Sequence, residues 1–254
     1  MITGSPSCTF LATLNTFYIL HSQKILFWSE ITMCGRFASA MTSEELMRRF
    51  GITIMENIRP RWNVAPSQNA TVICRDGQQT IAISATWGQP ITGVNKTMLI
   101  NARMETAKEK PTFSSAFVRS RCIVVASGWY EWSAPKTPWH IHLRDGGVIA
   151  MAGLLLRRGV KSRFVIITSA ADGKLAKIHH RQPLVLGAGD EKEWLGGTAD
   201  KAGALCKIAP ASWFNWHRVS SDVGEIAVDH ADLVTPLKAD EFLPTKPAQG
   251  DLFA

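Results

Sequence analysis

A chain of 254 residues is long enough for one large domain, and 46% hydrophobic with 19% charged residues is the composition of a folded globular protein. These values exclude a fibrous or wholly disordered chain. Lysine and arginine number 28 against 21 acidic residues, and the net charge of +7 is compatible with a phosphate-bearing partner. The nine tryptophans serve either core packing or stacking on nucleic-acid bases.

The cysteine pattern favours a reducing compartment. Five cysteines form an odd, irregularly spaced set without a C-x-x-C pair, so neither a disulfide framework nor a zinc knuckle is predicted. We therefore expect a cytoplasmic protein. The cysteines are Cys8, Cys34, Cys74, Cys122 and Cys206.

Residues 1–32 precede the first domain-like pattern. Their apolar run is broken at 21–24, well short of the roughly 18–20 residues of a membrane span, and a basic start and a small-x-small cleavage site are both lacking. We expect no membrane association and interpret this segment as a mis-assigned start. A real extension or an unusual targeting segment remains the alternative.

The first predicted element is a helix over 42–51, TSEELMRRFG, with a hydroxyl N-cap, early acids, late arginines and a final glycine. A proline-rich loop, RPRWNVAPSQ, is predicted next. The runs TVICR and TIAISATW, separated by DGQQ, predict a β-hairpin.

Further β-rich runs follow, and predicted helices are short. The strand-like segments are RCIVVASGWYEW, PWHIHLR, VIAMAGLLL and SRFVIITS. Helical patterns occur near 172–178, 190–195 and 199–206. Strands that follow strands without regular helical crossovers predict a single α+β domain with an antiparallel, barrel-like β core and short peripheral helices, and not a doubly wound sheet. We place this domain at 33–237 and a flexible tail at 238–254.

The pair Met33-Cys34 raises a specific chemical hypothesis. If the chain starts at Met33 and that residue is removed, Cys34 becomes an N-terminal 1,2-aminothiol. Its amine, with a reference pKa near ~7.7–8.0, can attack an aldehyde, and its thiol can close onto the imine to form a thiazolidine. An internal cysteine has no such amine.

Three other segments carry candidate groups. In LINARMET, Asn101 and Arg103 alternate and would share one face of an extended segment. In SGWYEW, Glu131 lies among aromatic residues that favour a raised carboxyl pKa. In KIHHRQPLVL, His179 and Arg181 lie in a loop where they could meet a phosphate or an oxyanion. Each has a plain structural alternative, such as an Arg103–Glu105 surface pair.

His140 and His142 raise the question of a metal site. They are two residues apart in a predicted strand, but no third ligand lies within sequence reach. The sequence therefore predicts no metal and no cofactor.

Taken together, seven blocks in order resemble one family. MCGRF, RWNVAP, INAR followed by MET, SGWYEW, TSAA, IHHRQPLVL and FNWHRVS are similar to motifs of the SRAP family, the SOS-response-associated peptidases also called abasic-site processing proteins. The resemblance runs from Met33 to about Pro236, roughly 80% of the chain. Gly93 and Val94 stand where relatives commonly place tryptophans, and Arg218 where proline is usual.

The resemblance implies a function and a set of site residues. It implies a DNA-repair protein of the SOS response that binds single-stranded DNA and crosslinks covalently to abasic sites, with possible self-processing peptidase and lyase-type activity, acting as a monomer that joins the nucleoid on damage. Cys34 would be the nucleophile, Asn101 would position its amine, Glu131 would shuttle protons, and His179 would assist sugar-ring opening. The residues implied along the DNA path are Gly35, Arg36, Asn63, Pro66, Arg103 and Arg181.

Two alternatives and one further partner stay open. The chain could be a cysteine peptidase acting on proteins through Cys34, Glu131 and His179, or a non-covalent single-strand-binding module. Separately, the end QGDLFA is similar to the short peptide that docks on bacterial sliding clamps, with Gln249, Leu252 and Phe253 as the contacts; a plain tail is the alternative.

Overall fold

The computed structural model describes residues 34–54, 58–91, 98–158 and 161–238, which belong to one compact unit. Several predictions concern residues outside these ranges: the segment 1–32, the positions of Gly93 and Val94, and the tail beyond residue 238 with its clamp-like motif.

Strands dominate the described residues. They are β1 (Arg36–Ser39), β2 (Thr53–Ile54), β3 (Arg61–Val64), β4 (Asn69–Asp76), β5 (Gln79–Trp87), β6 (Gln89–Pro90), β7 (Met98–Leu99), β8 (Asn101–Arg103), β9 (Arg121–Ala126), β10 (Gly128–Ser133), β11 (Thr137–Leu143), β12 (Ile149–Arg158), β13 (Lys161–Ala170), β14 (Arg181–Pro183) and β15 (Phe214–Arg218).

The helices are short and peripheral, as predicted. The α-helices are α1 (Ser43–Phe50), α2 (Pro111–Arg119), α3 (Glu191–Gly196) and α4 (Ala199–Ala204), and 3-10 turns cover Gly173–Lys177, Ala211–Trp213, Ser221–Gly224 and Ala231–Val234. Helix α1 begins with a capping box between Thr42 and Glu45 and ends at Phe50, and its C-cap is Gly51, whose φ of 60° suits glycine. The prediction for 42–51 is therefore confirmed, whereas α2 was not anticipated.

The larger sheet closes into a ring. Strands β13, β12, β9, β4 and β5 are neighbours in that order, and β13 pairs with β5 in parallel through Phe164 and Trp87. Strands β2, β8 and β14 extend this sheet at its margins. The prediction of a mostly antiparallel, barrel-like core is confirmed, and so is the β4–β5 hairpin, which turns at Gly77 with φ of 58°.

A second sheet contains β1, which begins two residues after Cys34, and β10, which contains Glu131. Its order is β15-β11-β10-β1-β3, all antiparallel. The predicted single run 121–132 is split at Ser127, so that β9 lies in the ring and β10 in this second sheet. Ser127 donates its backbone N–H to the Ala38 carbonyl at 2.8 Å, which ties the switch point to β1.

Two main apolar clusters hold these layers together. The first joins ring residues such as Val124 and Ile166 to Phe37, Trp129 and Phe214 of the second sheet. The other face of the ring carries the helices through buried groups on α1, α2, α3 and α4: Leu46, Phe113, Phe117, Trp194 and Ala202. The ring is therefore covered on both faces, which fixes the second sheet against it.

One predicted loop is a strand. The segment RPRWNVAPSQ contains β3, which pairs with β1 as the margin of the second sheet. Prolines at 60 and 66 flank the strand without interrupting it, and the Asp229 carboxylate accepts the backbone N–H groups of Trp62 and Asn63 at 2.6 and 3.0 Å. This carboxylate replaces the missing neighbouring strand, which is why a proline-rich segment stays extended.

Within the described ranges, Cys34, Cys74, Cys122 and Cys206 take part in no disulfide bond. Among the described residues, no helix is both long and apolar enough to cross a membrane.

Candidate active site around Cys34

The backbone nitrogen of Cys34 donates to Glu131 Oε1 at 3.0 Å. The pairing of β1 with β10 produces this contact, because Arg36 lies opposite Tyr130 and continuation of the register carries the preceding residues toward the centre of β10. Cys34 and Glu131 are 0% and 2% exposed. The structure thus brings together two residues that are 97 positions apart in the chain.

Burial controls the charge of Glu131. Loss of hydration raises the pKa of this carboxyl well above its usual value, and the hydrogen bond from the Cys34 N–H lowers it in part. A carboxyl with a raised pKa holds its proton near neutral pH and can donate it to a neighbouring atom. The raised pKa expected from its aromatic setting in the sequence is therefore found, with burial as the main cause.

His179 completes this group. Its Nδ1 lies 3.8 Å from Glu131 Oε2 and 3.2 Å from both the backbone N and O of Arg181. The residue follows the 3-10 turn Gly173–Lys177, and its own N–H donates to the Leu175 carbonyl. Burial lowers the pKa of His179, so the imidazole is neutral at neutral pH.

The Cys34 thiol is not activated as a thiolate. Burial, and secondarily the charge of Glu131, raise the pKa of this thiol well above its ordinary value. Nucleophilic cysteines of peptidases instead have lowered pKa values beside a histidinium or another cation. Here the Cys34 nitrogen, and not the sulfur, is hydrogen-bonded to the Glu131 carboxyl.

Asn101 lies on β8, at the margin of the larger sheet. Strand β8 pairs in parallel with β13, with Asn101 opposite Ile166, and Ile166 belongs to the same apolar cluster as Cys34. Asn101 is half-buried, whereas Arg103, two residues on, is exposed.

Arg103 and Arg181 flank the end of β13. Arg103 pairs with Thr168, and Arg181 pairs with Ala170 on the other side. The guanidinium of Arg181 binds both oxygens of Glu105 at 2.6 and 2.9 Å and also donates to the Thr168 carbonyl at 2.6 Å. The Arg103–Glu105 pair considered from sequence is thus replaced by an Arg181–Glu105 pair, whose hydrogen bonds lower the pKa of Glu105.

Arg36 and Asn63 hold the segment that follows β15. Arg36 donates to Asn63 Oδ1 at 3.1 Å and to the Gly224 carbonyl at 2.9 Å. The buried Asn63 amide donates to the carbonyls of Glu225 and Val228 at 2.9 and 2.8 Å. Both side chains are therefore already engaged in fixing the local structure.

Gly35 and Pro66 are half-buried. Apart from its chain neighbours, no described residue has an atom within 4 Å of the point where a Gly35 side chain would begin, which leaves room for a ligand at its backbone. Pro66 lies in a turn closed by Gln68, whose N–H donates to the Ala65 carbonyl at 3.2 Å.

One residue in this region was not anticipated, Asp229, and another, Glu105, has a different partner from the one considered in the sequence. Asp229 binds the amides of β3 and pairs with Arg61, and Glu105 binds Arg181. Asp229 carried no recognisable sequence signal, because its partners lie more than 160 positions earlier.

A comparison with protein-family models shows which family this chain belongs to. The family model described as SOS response associated peptidase (SRAP) matches residues 33–226. This chain belongs to the SRAP family. The resemblance seen in the sequence motifs is thereby confirmed, and the Cys34–Glu131–His179 group lies within the matched SRAP region.

Individual SRAP relatives agree with this assignment. The chain is 34% identical over 222 residues to the abasic site processing protein YedK of Escherichia coli, covering 81% of this chain and 100% of that protein. It is 35% identical over 179 residues to YoaM of Bacillus subtilis, which carries the same description, covering 64% of this chain and 79% of the relative. A solved protein of Bacteroides thetaiotaomicron shares the fold with a TM-score of 0.69 at 21% identity, covering 81% of this chain and all of that one.

Proposed function

We propose that this protein, once its chain begins at Cys34, captures abasic sites in single-stranded DNA as a covalent thiazolidine. The observation that carries the proposal is the Cys34 nitrogen 3.0 Å from the buried carboxyl of Glu131, in a chain of the SRAP family. The names of the relatives in Escherichia coli and Bacillus subtilis support abasic-site processing as the general function.

The proposed reaction uses both nucleophiles of an N-terminal cysteine. The amine of Cys34 adds to the aldehyde carbon of the ring-opened sugar, and loss of water leaves an imine. The thiol sulfur then bonds to the imine carbon while its proton passes to the nitrogen, which closes the five-membered ring. No oxidant or cofactor is required, and water is the only leaving group.

Glu131 is the proposed proton shuttle for both stages. The carbinolamine must receive a proton on its departing oxygen, and the amine must lose protons as the new bonds form. A buried carboxyl with a raised pKa can perform both transfers from one position. Its contact with the Cys34 nitrogen meets the distance requirement for such a transfer.

His179 and Asn101 are assigned the supporting roles that the family resemblance implies. A neutral imidazole beside Glu131 is suited to assist opening of the sugar ring, because it can accept or donate a proton. Asn101 on β8 would orient the amine.

Arg103 is the proposed main phosphate contact among the DNA-path residues, since it is exposed. Arg181 would contact the DNA while it remains paired with Glu105. Arg36 and Asn63 would position the backbone segments along the DNA path through their hydrogen bonds. Gly35 and Pro66 would form part of the path itself.

The backbone at Cys34 supports release of the residues before it. Its φ is 33°, in the left-handed region that a side chain other than glycine rarely adopts. Cleavage of the preceding peptide bond removes this torsion. Such cleavage by the protein itself is a second candidate activity, because Glu131 already contacts the nitrogen that would leave.

A cysteine peptidase acting on other proteins is less well supported. The thiol of such an enzyme must ionise readily, and burial raises the pKa of the Cys34 thiol.

The test is a crosslinking assay with single-stranded DNA that bears one abasic site. A chain that starts at Cys34 should yield a heat-stable adduct on a denaturing gel, and Cys34→Ala should bind the DNA without forming it. A chain that retains Met33 should also form no thiazolidine, because an amide nitrogen does not attack aldehydes. An equal adduct yield from Cys34→Ala would overturn the mechanism.

A further inference from the structure

Three histidines form a triangle on the side of the second sheet that faces away from Cys34. Glu131 and Trp129 alternate along β10 with Tyr130, whose register partner on β11 is His140. His140 in turn lies opposite His217 on β15. Because alternate residues of a strand point to opposite faces, the histidines occupy the face opposite to Glu131.

The imidazole triangle is regular. The ring centroids of His140, His142 and His217 are 5.4 Å apart in all three pairs, and one nitrogen of each lies within 4.8 Å of the others. With Zn–N bonds of about 2.0–2.1 Å and tetrahedral angles, three imidazole centroids would lie about 5.2 Å apart. The rings are thus at the spacing of a three-histidine site, and small side-chain rotations would bring the nitrogens to about 3.4 Å from one another.

Backbone carbonyls fix which nitrogens remain available. His217 Nε2 lies 2.9 Å from the Val234 carbonyl, and His142 Nδ1 lies 2.9 Å from the Leu143 carbonyl. Since a carbonyl only accepts, each of these nitrogens carries the proton, which leaves His217 Nδ1 and His142 Nε2 with lone pairs. Metal-binding histidines typically donate their second nitrogen to a carbonyl in this way.

His140 supplies an independent observation. It is 5% exposed, and neither ring nitrogen has a hydrogen-bond partner among the residues that the structure describes. A buried imidazole without a partner is costly unless another ligand satisfies it. Gly128 makes room for this ring, since a Cβ there would lie 2.1 Å from Nε2.

We propose that His140, His142 and His217 bind a divalent late transition-metal ion, with Zn²⁺ as the best fit to three imidazoles and an open fourth position for water. The half-buried His142 and His217 leave the ion accessible to that water. The ion would join β11 to β15 and, through the His217–Val234 contact, hold the turn Ala231–Val234 on the sheet.

His217 is the third metal ligand that the sequence around His140 and His142 did not contain. The third ligand is 75 positions further along the chain than His142, counted from the residue numbers, and it arrives only because β15 pairs with β11. The proposal does not depend on the chemistry of Cys34, because the two groups lie on opposite faces of the sheet.

The test is metal binding to the full chain, purified without a histidine tag and treated with a chelator. Zn²⁺ titration by calorimetry should show one equivalent bound, and Co²⁺ should give the visible absorption bands of a tetrahedral site. His142→Gln and His217→Gln should each weaken Zn²⁺ binding by at least about 100-fold, since loss of even an outer partner costs about 10–100-fold. With Zn²⁺ at 100 times the wild-type Kd, the wild-type Tm should rise by about 5 °C or more, and the Tm of His142→Gln by no more than about 2 °C.

Two control variants locate the ion. Cys34→Ala should bind Zn²⁺ like the wild type, which separates this site from an aminothiol, and His230→Gln should also leave binding unchanged because His230 is exposed and outside the triangle. Absence of binding to the wild type, equal binding by both triangle variants, or loss of binding in Cys34→Ala would each overturn the proposal. None of these results would alter the outcome of the crosslinking assay.

Discussion

Single residues in the site are governed by loss of hydration. Glu131, His179 and the Cys34 thiol all shift toward their neutral forms, because burial penalises charge on each of them. A neutral acid beside a nitrogen is suited to repeated proton transfer, whereas a fixed carboxylate would hold an ammonium in an unreactive ion pair. The chemistry proposed for Cys34 therefore depends on the burial of Glu131 as well as on its carboxyl group.

Glu131→Gln should show this effect as a pH-dependent stability. In the 254-residue chain the folded pKa of Glu131 lies above the value of 4.5 that it would have when exposed. Above that value the unfolded carboxyl loses its proton while the folded one keeps it, so wild-type stability falls as pH rises. Because glutamine does not ionise, the variant should gain relative stability as the pH rises above ~4.5, by up to about 1.4 kcal/mol per pH unit until the folded carboxyl ionises as well.

Denaturant unfolding at several pH values measures this gain. Glu109→Gln on the exposed surface is the matched control and should follow the wild-type profile. A difference between Glu131→Gln and wild type that stays constant with pH would contradict the buried neutral carboxyl.

In the crosslinking assay with the chain that starts at Cys34, Glu131→Gln should slow adduct formation by about 100-fold or more, which is the usual contribution of a general acid or base. DNA affinity should remain within about twofold of wild type, because a side chain that is 2% exposed has almost no surface with which to contact DNA phosphates. An unchanged rate would remove Glu131 from the mechanism.

At the scale of elements, the margins of the second sheet depend on side chains that replace missing strands. Asp229, in the segment after β15, binds two consecutive amides of β3 and the guanidinium of Arg61. Asn63 and Arg36 bind backbone carbonyls of that same segment. The segment after β15 and strand β3 therefore stabilise each other. This arrangement holds β1, and with it Cys34, against β10.

Asp229→Ala should destabilise the protein by about 2 kcal/mol, because it leaves the Trp62 and Asn63 amides without their acceptor. Asp229→Asn keeps an acceptor oxygen and should lose about half as much. Urea unfolding monitored by tryptophan fluorescence measures both changes. Equal stability of Asp229→Ala and wild type would mean that β3 is held by its pairing with β1 alone.

At the scale of the whole molecule, the net charge of +7 supports association with a polyanion, but only exposed cations contribute to it. Arg181 is paired with Glu105, and the guanidinium of Arg36 is occupied by carbonyl and amide oxygens. Arg103 is exposed at the end of β8. The number of basic residues therefore overestimates the number of contacts that the protein can make with phosphates.

Arg103→Gln should weaken binding to undamaged single-stranded DNA and reduce the slope of log K against log salt by about 0.7, the value for one lost phosphate contact. The measurement is fluorescence anisotropy at several salt concentrations in the Cys34→Ala background, which prevents covalent capture. Lys192→Gln on α3 is the matched control and should leave the slope unchanged. A slope that does not respond to Arg103→Gln would place the DNA path elsewhere.

The elements that the sequence failed to predict have specific causes. Helix α2 has a buried apolar stripe at Phe113, Ala116 and Phe117, but its N-cap Lys110 makes no capping bond and two serines weaken its propensity. Strand β3 was predicted as a loop because prolines at 60 and 66 flank it. In both cases packing against the rest of the fold outweighs a weak local signal.

The sequence by itself determined the family, the α+β class and the identity of Cys34, Asn101, Glu131 and His179 as candidates, because ordered motifs and strand punctuation are local properties of the chain. Tertiary structure alone decided which atoms meet: the Cys34 nitrogen with Glu131, Arg181 instead of Arg103 with Glu105, and His217 with His140 and His142. These contacts join residues 97, 76 and 77 positions apart, the last counted from His140 to His217. Strand pairing and burial set both their geometry and their charge, and neither is encoded in any single segment.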